Sequence, residues 1–413
     1  MAAPTVARER YEVLDALRGF ALFGILLANL NSFFGLYFLS SSEIVGLPLA
    51  DRLVLFGIDW FVEGKFYTIF SLLFGMGCAL QMPRFDAGPD AFRWYWIRRM
   101  LLLMAIGLTH MFFVWNGDIL TLYSVLGLIL LPLARLQTKT LWVVAVVLLL
   151  IPLANHAIVM ATQDAAFWSS LSRLSDGWKE SLGYGGLSLF EMRTSSDPRE
   201  VLIINMLQAV KRPIGYLMTA RYQQVLGIFV LGVIFARTLT PRIQGNEPIP
   251  TRWWLVPGLI GLVFSFAYAW TKWATGSYFG LDAFGLLQAV VYHICAPTLG
   301  VGLAGAFYTL WRSRGRSAIM SRLALLGRMA LTNYILQTTL AMLLFFGYGL
   351  GLMGTLPYAA IPLVAVVIFL FQTRFSAFWL SRYPQGPLEL AWKRLAYGAT
   401  RDSEREAEAS QPS

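Results

Sequence analysis

Long apolar segments recur along the whole chain and are separated by shorter polar ones. Each segment has about 20 residues, the length that an α-helix needs to cross the hydrocarbon core of a bilayer. The pattern therefore predicts an all-α fold, a polytopic membrane helical bundle of about ten transmembrane helices. The expected spans lie near 14–37, 60–82, 97–115, 118–135, 140–161, 222–240, 253–271, 284–311, 323–348 and 356–373.

One stretch, 162–221, is too polar to span a membrane. It combines polar residues with aromatic ones such as Trp168 and Trp178, which is compatible with one or two amphipathic helices at the membrane interface. The alternative is a lid over a site that opens outward. We expect residues 1–398 to form a single integral membrane domain, with 162–221 as a long external loop. The polar tail, 399–413, is expected to be disordered and cytoplasmic.

Composition changes this picture little but excludes several classes of protein. Hydrophobic residues make up 57% of the chain and charged ones 14%, against about 45–50% and about 25% in soluble domains. The expected partner is therefore the lipid bilayer. The net charge of +10 does not indicate nucleic acid, because the basic residues lie between apolar runs. Cys78 and Cys295 lie inside such runs and predict small buried side chains.

The positions of the basic residues predict the orientation. Lys and Arg collect in alternate connections, for example at Arg98 and Arg99, whereas the short connections at 116–117 and 349–355 contain none. Cytoplasmic loops are the ones enriched in Lys and Arg. With ten spans, both termini are expected on the cytoplasmic side.

Polar groups within the first span are candidates for function, because a charge at the bilayer centre costs about 2.5–3.5 kcal/mol on insertion scales. Asp15 and Arg18 are three residues apart and can form an ion pair on one helix face. Asn29 lies about 16 Å further along nearly the same face. These residues either anchor the helix and join it to its neighbours, or they contribute to a binding site.

The second span is expected to carry Asp59, Glu63 and Lys65 at its outer end. Asp59 and Glu63 are like charges four residues apart, which disfavours an isolated helix unless a cation is near. They are either interfacial anchors or acids beside a water-filled mouth.

The third and fourth spans meet at a turn built on Asn116 and Gly117. The turn allows Asp118 or Tyr123 to approach His110, with Trp115 between them in the chain. A histidine held by a carboxylate is the usual arrangement of a general base or proton relay. The alternative is a histidine that serves packing.

The ninth span and the C-terminal run supply the remaining candidates. Arg328 is placed to bind a phosphate or an anionic head group, while Asn333 and Gln337 share one helix face and can bind other helices. The run that follows Gln385 predicts an amphipathic helix with Glu389 facing water or lipid head groups and Trp392 facing acyl chains. His293 has no evident acidic partner.

The sequence lacks several familiar catalytic motifs. It has no GxxxxGK[ST] nucleotide loop, no HExxH metal motif and no GxSxG nucleophile elbow. An ATP-driven pump, a zinc protease and a lipase-type hydrolase are therefore excluded. We expect no metal and no tightly bound cofactor.

Five blocks resemble the YeiB-like family of bacterial inner-membrane proteins, also called the domain of unknown function 418 family. They extend from one end of the chain to the other and together are specific. The blocks are Leu14–Phe33, Phe61–Gly77, Gly107–Gly127, Gly327–Thr338 and Gln385–Leu395. The resemblance implies a multi-pass protein of the bacterial inner membrane.

The first block is also similar to the opening helix of transmembrane acyltransferases, including the acyltransferase-three enzymes and the lysosomal heparan-glucosaminide N-acetyltransferase. These share an Arg-Gly pair with a polar residue 11 positions after the Arg, matched here by Arg18, Gly19 and Asn29. In the acyltransferase-three enzymes that residue resembles a catalytic His, whereas Asn29 cannot act as a base. The resemblance therefore directs the role of base to His110 with Asp118.

Two functions are compatible with these residues. The first is transfer of an acyl group, expected to be acetyl, from cytoplasmic acetyl-coenzyme A to an envelope glycan or lipid. In it, Arg18 and Arg328 attract the donor's phosphates and Asn29 donates to the developing oxyanion. The second is secondary transport, with His110, Asp118 and Glu63 relaying protons and with Asn29 and Gln337 contacting the solute. A scaffold, in which the polar groups only hold helices together, is a third interpretation.

Overall fold

The computed structural model describes residues 5–82, 89–162, 166–244, 247–280, 282–314 and 317–397. The tail 399–413 and the side chain of Trp168 lie outside the described part. Within it every regular element is helical, which confirms the all-α prediction. In chain order the helices are α1 (Thr5–Phe33), α2 (Ser41–Val45), α3 (Leu49–Phe61), α4 (Lys65–Gln81), α5 (Pro89–Thr109), α6 (Leu120–Leu133), α7 (Thr138–Thr162), α8 (Ala166–Ser181), α9 (Leu189–Thr194), α10 (Pro198–Met218), α11 (Arg221–Gln244), α12 (Arg252–Thr275), α13 (Ala283–Arg314), α14 (Ala318–Arg328), α15 (Ala330–Phe345), α16 (Ile361–Leu380) and α17 (Pro387–Tyr397).

Seven of the helices are long and apolar enough to cross a membrane, counted over the described residues. They are α1, α5, α7, α11, α12, α13 and α16. This confirms that the chain has the composition and helix lengths of a membrane protein. Three of the ten expected spans, 60–82, 118–135 and 323–348, are not among these seven.

Each of the three differs from a single long helix for a local reason. Between 60 and 82 the chain breaks at Gly64, whose φ of 85° is in the region that favours glycine. A Cβ at Gly64 would lie 2.9 Å from the Cβ of Ala296, so the tight turn also needs glycine for space. The span 118–135 is reduced to α6, with 14 residues. The span 323–348 is divided into α14 and α15, which meet at Met329.

Helix α1 lies at the centre of the bundle and packs against α4, α14, α15 and α16. Its approach to α14 is very close: a Cβ at Gly19 would lie 2.1 Å from the carbonyl oxygen of Leu323, and one at Gly327 would lie 1.7 Å from that of Asp15. Small residues at such crossings let helix backbones approach in membranes. This close packing fixes the position of the polar residues that α1 carries.

The polar stretch 162–221 forms three helices, α8, α9 and α10, rather than the one or two expected. Helix α10 packs against the end of α5, where a π-helical turn, His110–Val114, replaces the regular helix. The side-chain amide of Asn205 donates to the carbonyl oxygens of Met111 and Phe112 at 3.0 and 2.8 Å, and its oxygen accepts from the Asn116 amide at 2.7 Å. The stretch is therefore joined to the bundle by specific contacts.

Candidate functional site

Two large cavities with several charged residues in their walls lie beside α1, one near its start and one near its end. The first, which we call the Arg18 cavity, has a volume of about 630 Å³ and is lined by Asp15 and Arg18. The second, the Asn29 cavity, has a volume of about 740 Å³ and is lined by Asn29 and Tyr37. Both volumes fall in the range of small-molecule sites, about 300–1,000 Å³. Since α1 rises about 1.5 Å per residue, Arg18 and Asn29 are about 16 Å apart along the helix axis. A further cavity of about 650 Å³, which Leu17 borders, has a mainly apolar wall.

The cations of the Arg18 cavity are held by groups of the chain itself. Arg18 Nη1 lies 2.5 Å from Asp15 Oδ1, so the ion pair expected from their spacing is confirmed. Arg328 Nη2 donates to the carbonyl oxygen of Pro384 at 2.8 Å. Arg99 Nη1 donates to Gln81 Oε1 at 2.6 Å, and its guanidinium lies 4.2 Å from the ring of Trp392. The cavity thus presents several fixed positive charges beside aromatic surface.

Glu389 also lines the Arg18 cavity, and the prediction that it faces water or lipid head groups is wrong. Its carboxylate accepts from the amides of Leu331 and Thr332 at 2.7 and 3.0 Å and from the Thr332 hydroxyl at 2.6 Å. It therefore satisfies amides at the start of α15, where an acidic group is favoured. Burial raises the pKa of Glu389. Trp392, expected to face acyl chains, donates its Nε1–H to the Arg99 carbonyl at 2.8 Å.

The Asn29 cavity is assembled from distant parts of the chain. Its wall includes Asn29 of α1, Glu63 of the α3–α4 turn, Arg212 of α10, Arg221 of α11 and His293 of α13. Helix α10 comes from the stretch 162–221, so the expectation that this stretch covers a site is consistent with the geometry.

Two arginines of this cavity contact tyrosines and amides instead of carboxylates. The Arg221 guanidinium lies 4.0 Å from the ring of Tyr67, and its Nη1 is 3.3 Å from Gln224 Oε1 and 3.4 Å from the Tyr292 hydroxyl. Arg212 Nε donates to the Tyr216 hydroxyl at 3.0 Å. Within the described ranges neither arginine forms an ion pair.

Several other polar atoms at this cavity have no partner among the described residues. They include Nε2 of His156, Nδ1 of His293 and Nε2 of Gln224. Nearby, in the loop helix α9, Arg193 Nη2 donates to Asn116 Oδ1 at 3.0 Å. Burial, with a further contribution from the charge of Arg212, lowers the pKa of Arg193 to about 10. The region around the cavity therefore has an excess of positive charge.

Of the acids of the α3–α4 turn, Asp59 is buried and Glu63 lines the Asn29 cavity, so the alternative of acids beside a cavity describes them better than that of interfacial anchors. Lys65 is fully buried, and its Nζ donates to the Asp59 carbonyl at 2.7 Å. The cation that pairs with the acids is Lys272, which contacts the Asp59 carboxylate and lies 2.8 Å from Glu63 Oε2. Lys272 comes from α12, more than 200 residues away in the chain, and sequence spacing does not indicate it.

The two cavities share part of their walls. Ile25, Ile119 and Tyr334 line both of them. The Tyr334 hydroxyl accepts from the Ile119 amide at 3.3 Å, so these residues are joined as well as adjacent. We call this shared wall, which lies between cavities near opposite ends of α1, the junction.

The expected contact between His110 and Asp118 is present. His110 Nδ1 lies 3.0 Å from Asp118 Oδ1, while Asp118 Oδ2 accepts from the Thr121 amide at 2.7 Å. Neither residue lines a cavity, and His110 is only 2% exposed. Its ring lies 5.2 Å from the ring of Tyr334. The pair therefore lies behind Tyr334, next to the junction but not in it.

Four further candidates are placed in packing positions or at a wall. Trp115 is buried against Phe33, with ring centroids 4.8 Å apart. Asn333 Nδ2 donates to the Leu326 carbonyl at 3.1 Å and to Ser376 Oγ at 2.9 Å, so it joins helices. Gln337 is likewise buried. Tyr123 lines the Arg18 cavity and is paired with Ser71 at 2.6 Å rather than with His110.

The sequence did not indicate most of the polar residues of the Asn29 cavity. The stretch 162–221 contains Lys211, Arg212 and Arg221. For a loop of this length the positive-inside rule gives no information about the role of basic residues. The sequence gives no sign of a role for His156, and His293 has no evident acidic partner. The available signal was the group of three cations and two glutamines between 211 and 224 in a segment of otherwise apolar character.

Comparison with known proteins supports the family assignment from the five blocks. The family model described as "Protein of unknown function (DUF418)" matches residues 234–399. The chain is 30% identical over 405 residues to "Uncharacterized protein YeiB" of Escherichia coli (strain K12), covering 95% of this chain and 97% of YeiB. It is 29% identical over 412 residues to "Uncharacterized protein YxaH" of Bacillus subtilis (strain 168), covering 95% and 96%.

A third relative is the "Uncharacterized 39.9 kDa protein in amylase 3'region" of Bacillus acidopullulyticus, 27% identical over 394 residues, with 95% of this chain and 96% of the relative covered. No solved structure matches the chain. The similarity to YeiB extends over nearly the whole of both proteins, and the family model matches the C-terminal part. The chain therefore belongs to the YeiB-like family of DUF418 proteins.

Proposed function

We propose that this protein transfers an acyl group, acetyl being the simplest, from a cytoplasmic thioester to an acceptor on the outer face of a bacterial inner membrane. The observation that carries the proposal is that the Arg18 and Asn29 cavities share a wall formed by Ile25, Ile119 and Tyr334. A donor in one cavity and an acceptor in the other can then bring their reacting atoms together within the bundle.

The Arg18 cavity has the chemistry of a donor site. By the positive-inside rule it opens to the cytoplasm, where acetyl-coenzyme A is available. Arg18, Arg99 and Arg328 provide charged donors for phosphates, and Trp392 provides an aromatic surface beside them. The pantetheine arm would extend towards Ile25 and Ile119, which places the thioester at the junction.

The Asn29 cavity has the chemistry of an acceptor site. An acceptor hydroxyl oxygen attacks the thioester carbonyl carbon, the carbon–sulfur bond breaks, and the leaving thiolate takes a proton, so that ester and free thiol result. Asn29 donates to the oxyanion that develops in this step. His293, with an unpartnered ring nitrogen at the cavity, accepts the proton of the hydroxyl and supplies one to the thiolate.

His110 and Asp118 act as positioning residues in this scheme. The pair is buried behind Tyr334, so it holds Tyr334 at the junction rather than touching either substrate. The envelope acceptor, a glycan or a lipid, enters the Asn29 cavity from the outer face, on the α10 side.

The test uses the full-length protein in nanodiscs with acetyl-coenzyme A labelled on the acetyl group. Acetyl-coenzyme A should raise the melting temperature, and Arg328→Gln should weaken this effect about tenfold in concentration, since a hydrogen bond to a charged group contributes about 1.5–3 kcal/mol. Arg322→Gln is the matched control, because Arg322 is exposed on the same helix and lines neither cavity. Absence of any effect at millimolar donor would overturn the proposal.

Secondary transport is the second candidate, favoured by the buried Lys272–Asp59–Glu63 group beside the Asn29 cavity. Such groups inside a bundle are typical of proton or ion pathways. Transport predicts a proton-dependent flux in vesicles that is lost in Glu63→Gln and leaves no acetyl label on any acceptor. Label on an acceptor without flux supports the acyltransferase instead.

A further inference from the structure

The Asn29 cavity contains positive charge that the described part of the chain does not neutralise. Lys211, Arg212 and Arg221 line it, and the one carboxylate among its lining residues is that of Glu63. Glu63 is already paired with Lys272 at 2.8 Å. The cavity therefore has cations without a carboxylate of their own.

Among these cations, Arg221 is the one that most clearly indicates a bound anion. Buried charges are expected to be paired, because removal from water is costly unless an opposite charge is near. Arg221 instead contacts the face of Tyr67 at 4.0 Å and two neutral oxygens, of Gln224 and Tyr292, at 3.3 and 3.4 Å. Its charge is stabilised by dipoles and a ring, which leaves a place for an anion.

A second, independent observation points to the same ligand. Gln224 is only 2% exposed and lines the cavity. The side-chain oxygen of Gln224 accepts a hydrogen bond from Arg221. The side-chain amide nitrogen of Gln224 has no hydrogen-bond partner within the described ranges. A buried amide donor without an acceptor costs about 1–3 kcal/mol. A ligand oxygen would remove this cost.

We propose that the Asn29 cavity binds an anionic group of the phosphate class, held by Arg221, Arg212 and Gln224. Resting on the acyl-transfer function, this makes the acceptor a phosphate-bearing polyol whose free hydroxyl points to Asn29 and the junction. Arg221 offers the planar fork that matches phosphate oxygens. The phosphate comes either from a water-soluble molecule or from a lipid head group.

The test measures direct binding, without acetyl-coenzyme A, to the full-length protein in neutral-lipid nanodiscs. The probes are glycerol 1-phosphate and its neutral counterpart, glycerol. The quantity measured is the melting temperature of the protein with each probe. We expect stabilisation by glycerol 1-phosphate only, weakened by added salt. A parallel series in nanodiscs with phosphatidylglycerol in place of phosphatidylcholine tests the lipid source: stabilisation there without an effect of the soluble probe assigns the phosphate to a head group.

Variants locate the site. Arg221→Gln and, as a second variant at a less buried position, Arg212→Gln should each raise the apparent dissociation constant at least tenfold. Arg199→Gln is the control, because Arg199 is exposed at the start of the same helix α10 and lines neither cavity. Equal effects of all three variants, equal binding of glycerol, or no stabilisation in either series would overturn the proposal.

The outcome is separate from that of the acyl-transfer test. Failure of acetyl-coenzyme A to bind with intact phosphate binding rejects acyl transfer and keeps the anion site. Intact donor binding without phosphate binding rejects the anion site and keeps acyl transfer.

Discussion

The two cavities beside α1 have similar volumes and both contain arginines, yet their charges are treated differently. In the Arg18 cavity, Arg18 is paired with Asp15, and Arg328 with a backbone carbonyl. In the Asn29 cavity, Arg221 and the Gln224 amide lack such partners in the described part of the chain. In the first cavity a carboxylate neutralises Arg18, whereas in the second Arg212 and Arg221 have only neutral partners.

This difference has a structural origin. The ion pair of the Arg18 cavity is local, formed by residues three apart on one helix. The Asn29 cavity is built where α1, α10, α11 and α13 come together, and its groups are satisfied only by what lies between them. Positive charge stays without a counter-charge there because the same-helix partners of Arg212 and Arg221, which are Tyr216 and Gln224, are neutral.

The largest expected effect concerns Glu63, whose pairing with Lys272 keeps it from neutralising the arginines. Lys272→Met should reduce the free energy of unfolding by about 3–5 kcal/mol, because it leaves two buried carboxylates without a cation. Equilibrium unfolding in mixed micelles measures this. Adding Asp59→Asn and Glu63→Gln should restore part of the loss. Lys139→Met, at an exposed position, is the control; a loss as small as that of the control would contradict the pairing.

The second prediction concerns the junction, which is the wall that the two cavities share. Ile119→Phe enlarges a side chain that lines both, and it should reduce acetyl transfer about a hundredfold, because misplacement of reacting groups by 1 Å has that effect. Acetyl-coenzyme A should still bind. Ile158→Phe, at an exposed position of α7, should transfer normally. Unchanged transfer in Ile119→Phe would show that the cavities do not work together.

A third pair of variants separates the two cavities directly. Arg18→Gln should weaken acetyl-coenzyme A binding about tenfold and leave phosphate binding unchanged. Arg221→Gln should weaken phosphate binding about tenfold and leave acetyl-coenzyme A binding unchanged. Calorimetry on each variant with each ligand gives the four dissociation constants. If both variants weakened both ligands equally, the two cavities would be one site.

The smallest effect concerns Glu389 in the Arg18 cavity. Because burial raises its pKa above the ordinary value of 4.5, the folded protein binds its proton more tightly than the unfolded chain does. The stabilisation is present below the unfolded pKa and is lost as pH rises through the folded pKa. The melting temperature should therefore fall over the pH range just above 4.5, and Glu389→Gln should remove this fall; an identical pH profile in the variant would contradict it.

Prediction from the sequence succeeded where the relevant interaction is local. The Asp15–Arg18 pair and the proximity of Asp118 to His110 across a short turn both follow from spacing and turn chemistry. Prediction failed where a partner comes from a distant segment. The spacing gave no sign that Lys272 pairs with Asp59 and Glu63, and Glu389 was expected to face water or lipid head groups but caps α15.

The sequence by itself determined that the chain is helical, has the composition of a membrane protein and belongs to a family recognised from five short blocks. Periodicity, composition and local spacing contain that information. Only the tertiary structure decided that Lys272 pairs with Glu63, that Tyr334 lines both cavities, and that Arg221 has no carboxylate partner among the described residues. These are relations between helices distant in sequence, and they depend on packing geometry, which apolar patterns along one chain do not specify.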